Sequence, residues 1–165
     1  MIAEAAPART MVRMGEVAVS RDSGARLVSL GLGSCIGLAL VDPSTGVAGL
    51  VHIVLPESRG GETTTPGKFA DTAVPHLIAE VCRTGAHRSR LQAVICGGAQ
   101  MFAGAGLDAF QIGERNAAAT VAALAEHRIT VRAHDTGGQS GRSVEVQVGD
   151  GSVSVRAVGA EAQSL

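Results

Sequence analysis

Apolar positions along the chain fall into short clusters divided by turn residues, not into long stripes. Four early clusters, Met11 to Val19, Ala25 to Leu30, Ile36 to Val41 and Val47 to Leu55, have strand length and are rich in Val, Leu and Ile. Asp22-Ser23-Gly24 and Asp42-Pro43-Ser44-Thr45-Gly46 supply the turns between them, and Ser58 to Gly67 is a polar loop. The period then becomes helical. Phe69 to Arg83 places Ala70, Val74, Leu77, Ile78 and Val81 on one face, with Gly85 at the cap and Pro75 demanding a kink or a later start. Gly113 to Arg128 places Ala117, Val121, Leu124 and Ala125 on one face, with His127 and Arg128 where positive charge suits a helix end. Leu91 to Cys96 reads as a buried strand between the helices. Ile129 to His134, Ser143 to Val148 and Ser152 to Val158 follow as strands, the last two joined through Gly149-Asp150-Gly151. Strand and helix do not alternate as a doubly wound fold requires. The expectation is one α/β (α+β) domain over residues 11–158, with a mixed, largely antiparallel sheet and two main helices, between loose tails at 1–10 and 159–165.

Composition narrows the function classes. With 45% apolar and 18% charged residues, the 165-residue chain has the make-up of a single globular domain. A formal charge of −1 offers no electrostatic footprint for nucleic acid or an anionic membrane, and aromatic residues at 2%, all Phe, provide no stacking platform. Three cysteines without a close pair argue against a disulfide framework, and no CxxC or HxxxH spacing suggests a structural zinc site. The N-terminal MIAEAAPARTMVRMGE has no apolar signal core, and no apolar stretch has spanning length. A cytoplasmic protein, not inserted in a membrane, is expected.

The segment Ser29-Leu-Gly-Leu-Gly-Ser-Cys35-Ile-Gly holds the most chemistry. Its glycines invite comparison with a phosphate-binding loop, but that motif opens a helix, and Ile36 to Val41 runs as a strand into Asp42-Pro43. A nucleophilic reading suits Cys35 better. A thiol directly after a Gly-x-Gly-Ser turn has backbone N–H groups near it that can stabilise a thiolate or an oxyanion. Folding Ile36–Val41 back on Val47–Leu55 carries His52 toward Cys35, where an imidazole can take the thiol proton, and Ser29 offers a hydroxyl to fix that ring. A small buried cysteine and a hydrogen-bonded structural histidine account for the same residue types, and the pattern alone leaves both open. Cys82 and Cys96 lie on apolar faces and read as core. His76, His87, His127 and His134 read as surface or loop residues, and Gly97-Gly98-Ala99-Gln100-Met101 and Gly104-Ala105-Gly106 as tight loops.

Five blocks in order carry a resemblance: Leu30-Gly-Leu-Gly-Ser-Cys35, His52-Ile-Val-Leu-Pro56, Gly97-Gly98-Ala99-Gln100-Met101, Ile112-Gly113-Glu114-Arg115-Asn116, and Asp135-Thr136-Gly137-Gly138 with Gly141-Arg142. Together, from about Gly15 to Arg156, they resemble CheD, the chemoreceptor glutamine deamidases. The resemblance implies Cys35 as nucleophile, His52 as its base and Ser29 as the hydroxyl that orients the histidine. The family more often has threonine at that last position, and a Lys and an aromatic residue in the strand where this chain has Val94 and Cys96. It further implies an α/β sandwich, hydrolysis of receptor glutamine amides to glutamate with release of ammonia, and no metal or organic cofactor. The implied partners are the cytoplasmic helices of methyl-accepting chemotaxis receptors and a CheC-type phosphatase. Two other classes stay open: a non-enzymatic docking module regulating receptors or phosphatase, and a thiol hydrolase of small amides, which needs a deep pocket.

Overall fold

A computed structural model describes residues 8–60, 63–100 and 107–165. Its centre is the hairpin of β4 (Ile36–Asp42) and β5 (Val47–Ile53), every strand residue of which is buried. Strands that alternate two buried faces need cover on both, and the chain provides it as three layers. On one side of the hairpin's sheet lie α1 (Ala70–Arg83) and α2 (Leu107–Glu126); on the other lies a second sheet. Ile36, Leu38 and Leu40 point at the helices, packing with Leu77, Val81 and Leu124. Ala39 and Val41 point the other way, toward Leu27, Val144 and Val146. Each fully buried Leu or Val contributes roughly 1.5–3 kcal/mol.

The sheet under the helices runs β2 (Val17–Ser20), β5, β4, β6 (Gln92–Gly97), β7 (Thr130–Thr136). Its pairs are antiparallel except β6 with β7, which the crossover helix α2 joins in parallel. The other sheet runs β1 (Arg9–Met11), β3 (Arg26–Leu32), β8 (Arg142–Gln147), β9 (Val153–Ala157), β10 (Gln163–Ser164), with only β1 and β3 parallel. The expected α+β domain with mixed, largely antiparallel pairing and two main helices is therefore the fold observed, divided over two sheets.

Several boundaries differ from the expectation. Met11 to Val19 is not one strand: the chain turns at Met14-Gly15, where Gly15 takes φ 78°, and leaves one sheet for the other. Both segments expected as tails contribute strand residues, β1 from residue 9 and β10 near the C-terminus; residues 1–7 of the first lie outside the described residues. Helix α1 starts at Ala70 and runs through Pro75. Helix α2 begins at Leu107 and ends before His127 and Arg128. Its buried stripe carries Asn116, Thr120, Ala123 and Leu124, while Val121 is half exposed and Ala125 exposed. The stripe is rotated because an Ala-rich helix offers weak periodicity and the face that docks includes polar side chains. Met101 and Gly104-Ala105-Gly106 lie outside the described residues. Among the described residues no helix is long and apolar enough to cross a membrane.

Candidate active site

The hairpin register decides which residues meet. Gly37 pairs with His52 across β4 and β5, and with Cys96 across β4 and β6. Side chains two residues apart share a face, so Cys35, just before β4, faces the layer between the sheets together with His52 and Cys96. Cys35 is a diagonal neighbour of both, at a Cα spacing of about 7–8 Å. The two diagonals are not equivalent. The Cys35 carbonyl accepts the Gly98 N–H at 2.9 Å, which makes the β4–β6 pairing at this register the hydrogen-bonded type. Gly37 and His52 then form the other type, in which side chains approach more closely. Cys35 and His52 are thus diagonal neighbours on one face, with no hydrogen bond joining Sγ to Nε2.

His52 is 4% exposed, and its two nitrogens are treated differently. Nδ1 lies 3.2 Å from the Val12 carbonyl oxygen. A carbonyl only accepts, so the proton sits on Nδ1, and Nε2 is the basic nitrogen of the neutral ring. Nε2 is buried and makes no hydrogen bond. The hydroxyl of Ser29, fully buried on β3, donates to the same Val12 oxygen at 2.7 Å. Ser29 and His52 therefore meet at a shared backbone acceptor, where the sequence suggested a direct contact. The His52 backbone is clamped as well: its N–H donates to the Glu16 carbonyl at 3.2 Å and its carbonyl accepts the Gly15 N–H at 2.8 Å.

Burial pushes the half-buried Cys35 thiol up from its ordinary value. Burial likewise pushes the His52 imidazole down, against smaller opposing effects from the Val12 carbonyl and the Glu16 charge. Both shifts favour a neutral thiol beside a neutral imidazole, so desolvation outweighs the stabilised thiolate that the glycine turn suggested. Cys96 is fully buried, its thiol pushed up to about 12 first by burial and then by the Asp135 charge, while Arg142 opposes. Cys82 packs against the helix-side core.

The Cys35 turn is held from outside by the other blocks. Asn116, fully buried on α2, donates from Nδ2 to the Ser34 and Val54 carbonyls, each at 2.9 Å, and its Oδ1 is buried without a partner. Gly97 has φ 112°, and a Cβ there would collide with the Cys35 carbonyl. Gly98 and Gly113 let loop and helix interlock: a Cβ on Gly98 would stand 2.8 Å from the Gly113 oxygen, and one on Gly113 2.5 Å from that of Ala99. Ala99 N–H donates to Gly33 at 2.8 Å, and Gln100 N–H to Gly138 at 2.8 Å. Arg142, nearly buried, gathers the neighbouring loop by donating to the Asp135 carbonyl and carboxylate, both at 2.7 Å, and to the Gly137 carbonyl. Of the N–H groups of Gly33, Ser34 and Cys35, none donates to another described residue. A cleft of about 330 Å³ adjoins Gly98, lined also by Gln100, Glu114, Thr136, Gly138 and Gln139. Sequence reasoning placed Asn116 in a block without assigning it a task, and missed the Val12 carbonyl, because a main-chain acceptor leaves no mark on residue type.

Comparison with known proteins bears on the family and on the fold. Residues 54–157 match the family model described as CheD chemotactic sensory transduction. Over 151 residues the chain is 43% identical to the chemoreceptor glutamine deamidase CheD of Thermotoga maritima, covering 92% of this chain and 93% of that one. A CheD relative from Symbiobacterium thermophilum is 44% identical over 151 residues, 90% of this chain and 92% of its own. Among solved structures, a Neisseria meningitidis protein of the DUF152 family superposes with a TM-score of 0.51 at 9% identity. The match covers 80% of this chain and 63% of that one, under two thirds of its length, and is a likeness of fold alone. On the family model and on relatives aligned over nine-tenths of its length, this chain belongs to the CheD family.

Proposed function

We propose that this chain hydrolyses side-chain amides of glutamines in chemotaxis receptors, with Cys35 as nucleophile and His52 as general base. One observation carries the reading: Cys35 and His52 share a face of the β4–β5 hairpin, and His52 keeps Nδ1 on a carbonyl and Nε2 buried without a partner. A buried unpaired nitrogen loses about 1–3 kcal/mol of hydration, a cost that a proton-accepting role makes intelligible. The names of the relatives supply the substrate class.

The chemistry follows from the neutral pair. His52 Nε2 takes the thiol proton as Cys35 Sγ bonds to the amide carbon, and the carbonyl electrons move onto oxygen. The N–H groups of the 33–35 turn, Cys35 included, stabilise that oxyanion. The imidazolium then protonates the amide nitrogen, the C–N bond breaks, ammonia departs and a thioester remains. Water attacks the thioester while giving a proton to Nε2, the C–S bond breaks, and the sulfur recovers that proton from the imidazolium. Receptor glutamine has become glutamate, and both side chains are restored. A glutamine presented on a receptor helix is the favoured substrate, since binding energy from the rest of the helix positions the amide. A CheC-type phosphatase is a further proposed partner, and the cytoplasm, where receptor helices of this kind lie, the proposed compartment.

Receptor fragments incubated with wild type and with Cys35→Ala test this. Mass spectrometry should find amide-to-acid conversion with wild type only, and both proteins should capture the fragment in a pull-down. Capture by wild type without conversion would leave the docking module as the function. Conversion by Cys35→Ala would move the nucleophile elsewhere.

A further inference from the structure

The acceptor that fixes His52 is one end of a peptide unit whose other end is held by a carboxylate. The Val12 carbonyl receives the His52 Nδ1–H at 3.2 Å, and the N–H of that same peptide, on Arg13, donates to Glu16 Oε2 at 2.9 Å. The turn carrying these groups is built for it. Glu16 N–H closes it onto the Arg13 carbonyl at 2.8 Å, Gly15 supplies the positive φ, and the backbones of Gly15 and Glu16 pair with His52 itself. We propose that Glu16 is a positioning residue that polarises His52 through the Val12–Arg13 peptide, doing at one remove what a carboxylate on the ring would do. This rests on His52 being the base.

The physical argument is cooperative hydrogen bonding. A negative charge on a peptide N–H draws the amide dipole into line and makes its carbonyl a stronger acceptor. That fixes the Nδ1–H tautomer and favours the imidazolium each time Nε2 takes a proton. Ser29, donating to the same oxygen, holds the carbonyl in place without adding charge. The titratable groups sharing the ring's surroundings are the Cys35 thiol just before β4, the Cys96 thiol one strand further on β6, and Glu16 itself. Of these, Glu16 acts through its charge against the downward push of burial on His52.

Glu16 is exposed, so its replacement leaves the core intact. Glu16→Gln retains an oxygen for the Arg13 N–H and loses the charge; Glu16→Ala loses both. Deamidation of a receptor fragment by Glu16→Ala should fall about tenfold in kcat with KM little changed, the scale of one charge-assisted hydrogen bond. Glu16→Gln should recover much of the rate, with the acid limb of its pH profile moved to lower pH. NMR of ¹⁵N-labelled His52 supplies a readout independent of turnover: in Glu16→Ala the Nδ1–H resonance should move upfield and the ring should protonate at lower pH than in wild type. Wild-type kcat together with an unmoved Nδ1–H and an unchanged His52 titration in Glu16→Ala would overturn the proposal and leave the deamidase reading standing. If wild type converts no glutamine, the deamidase reading fails, and the NMR comparison still decides whether Glu16 acts on the ring.

Discussion

The β4–β5 hairpin buries an ionisable side chain at each end, Asp42 beside the turn and His52 beside the mouth, and the fold treats the two in opposite ways. Asp42 is fully buried and saturated. Its carboxylate accepts the Ser44 N–H at 3.1 Å, the His87 N–H at 2.8 Å and two guanidinium hydrogens of Arg90 at 3.3 Å. Burial pushes its acidity in the unfavourable direction, but the His87 N–H, Arg90 and the Thr45 hydroxyl more than offset it, holding the carboxyl below the usual carboxylate range. His52 has one nitrogen satisfied and one left bare. A saturated buried charge fastens a turn; a buried base with a free lone pair has somewhere to put a proton. On the proposed reading of His52, the difference separates scaffold from chemistry where burial and polarity alone do not, because both residues are buried and polar.

Substituting the two ends should break different properties. His52→Ala should lower deamidation by roughly 10²-fold or more, the scale of a lost acid–base group, while the protein stays folded. Asp42→Ala should cost roughly 1–3 kcal/mol of stability through the orphaned His87 N–H and Arg90, with kcat near normal in the folded fraction. Denaturant titrations beside initial rates read both quantities, and near-normal turnover in His52→Ala would erase the contrast. The pH windows differ too. Asp42, held below its unfolded value, contributes stability that is present above about pH 4 and lost as the pH falls through its folded value. His52 is held neutral in the fold, so the unfolded chain takes up its proton first, and stability falls on acidification below about pH 6.5. Removing His52 should flatten that second loss and leave the first.

Asn116 belongs to both classes at once, with Nδ2 saturated on two carbonyls and Oδ1 bare. Its donors tie the turn before Cys35 to the residue after β5, holding the strands of the proposed nucleophile and base in register at the mouth. Asn116→Ala should lower kcat about tenfold and stability by roughly 1–3 kcal/mol. A stability loss with unchanged kcat would assign it to the scaffold alone.

How much of this could be read from residues follows the same division. The hairpin was legible because Asp42-Pro43-Ser44-Thr45-Gly46 marks its turn unmistakably, and counting along two strands from that turn brings His52 toward Cys35. The split of Met11 to Val19 between sheets was not, since one glycine in a left-handed conformation decides it. The buried face of α2 was misread because Asn116 and Thr120 stand where apolar residues are expected. The environment of the thiol was misjudged because a glycine-rich turn suggests open amides, whereas Cys35 faces the layer between two sheets whose packing no local pattern encodes.

The smallest effect expected sharpens what kind of group orients the proposed base. If a hydroxyl bonded the imidazole directly, removing it would free the ring to flip or change tautomer, and the loss would approach that of the base itself. Here the ring is held by the Val12 carbonyl, which is anchored independently: Val12 N–H donates to the Val28 carbonyl at 2.7 Å, and Glu16 holds the next N–H. Ser29→Ala therefore removes one of several anchors on a carbonyl that remains in place. It should lower kcat only a few-fold, below the scale of one full hydrogen bond, and it frees a lone pair on the Val12 oxygen that strengthens the remaining bond to Nδ1. Ser29→Thr keeps the donor and restrains its rotamer, so activity should match or slightly exceed that of the native chain. Rates for both variants on one receptor fragment are the measurement, and a loss in Ser29→Ala as deep as that in His52→Ala would mean that the hydroxyl, and not the carbonyl, orients the ring.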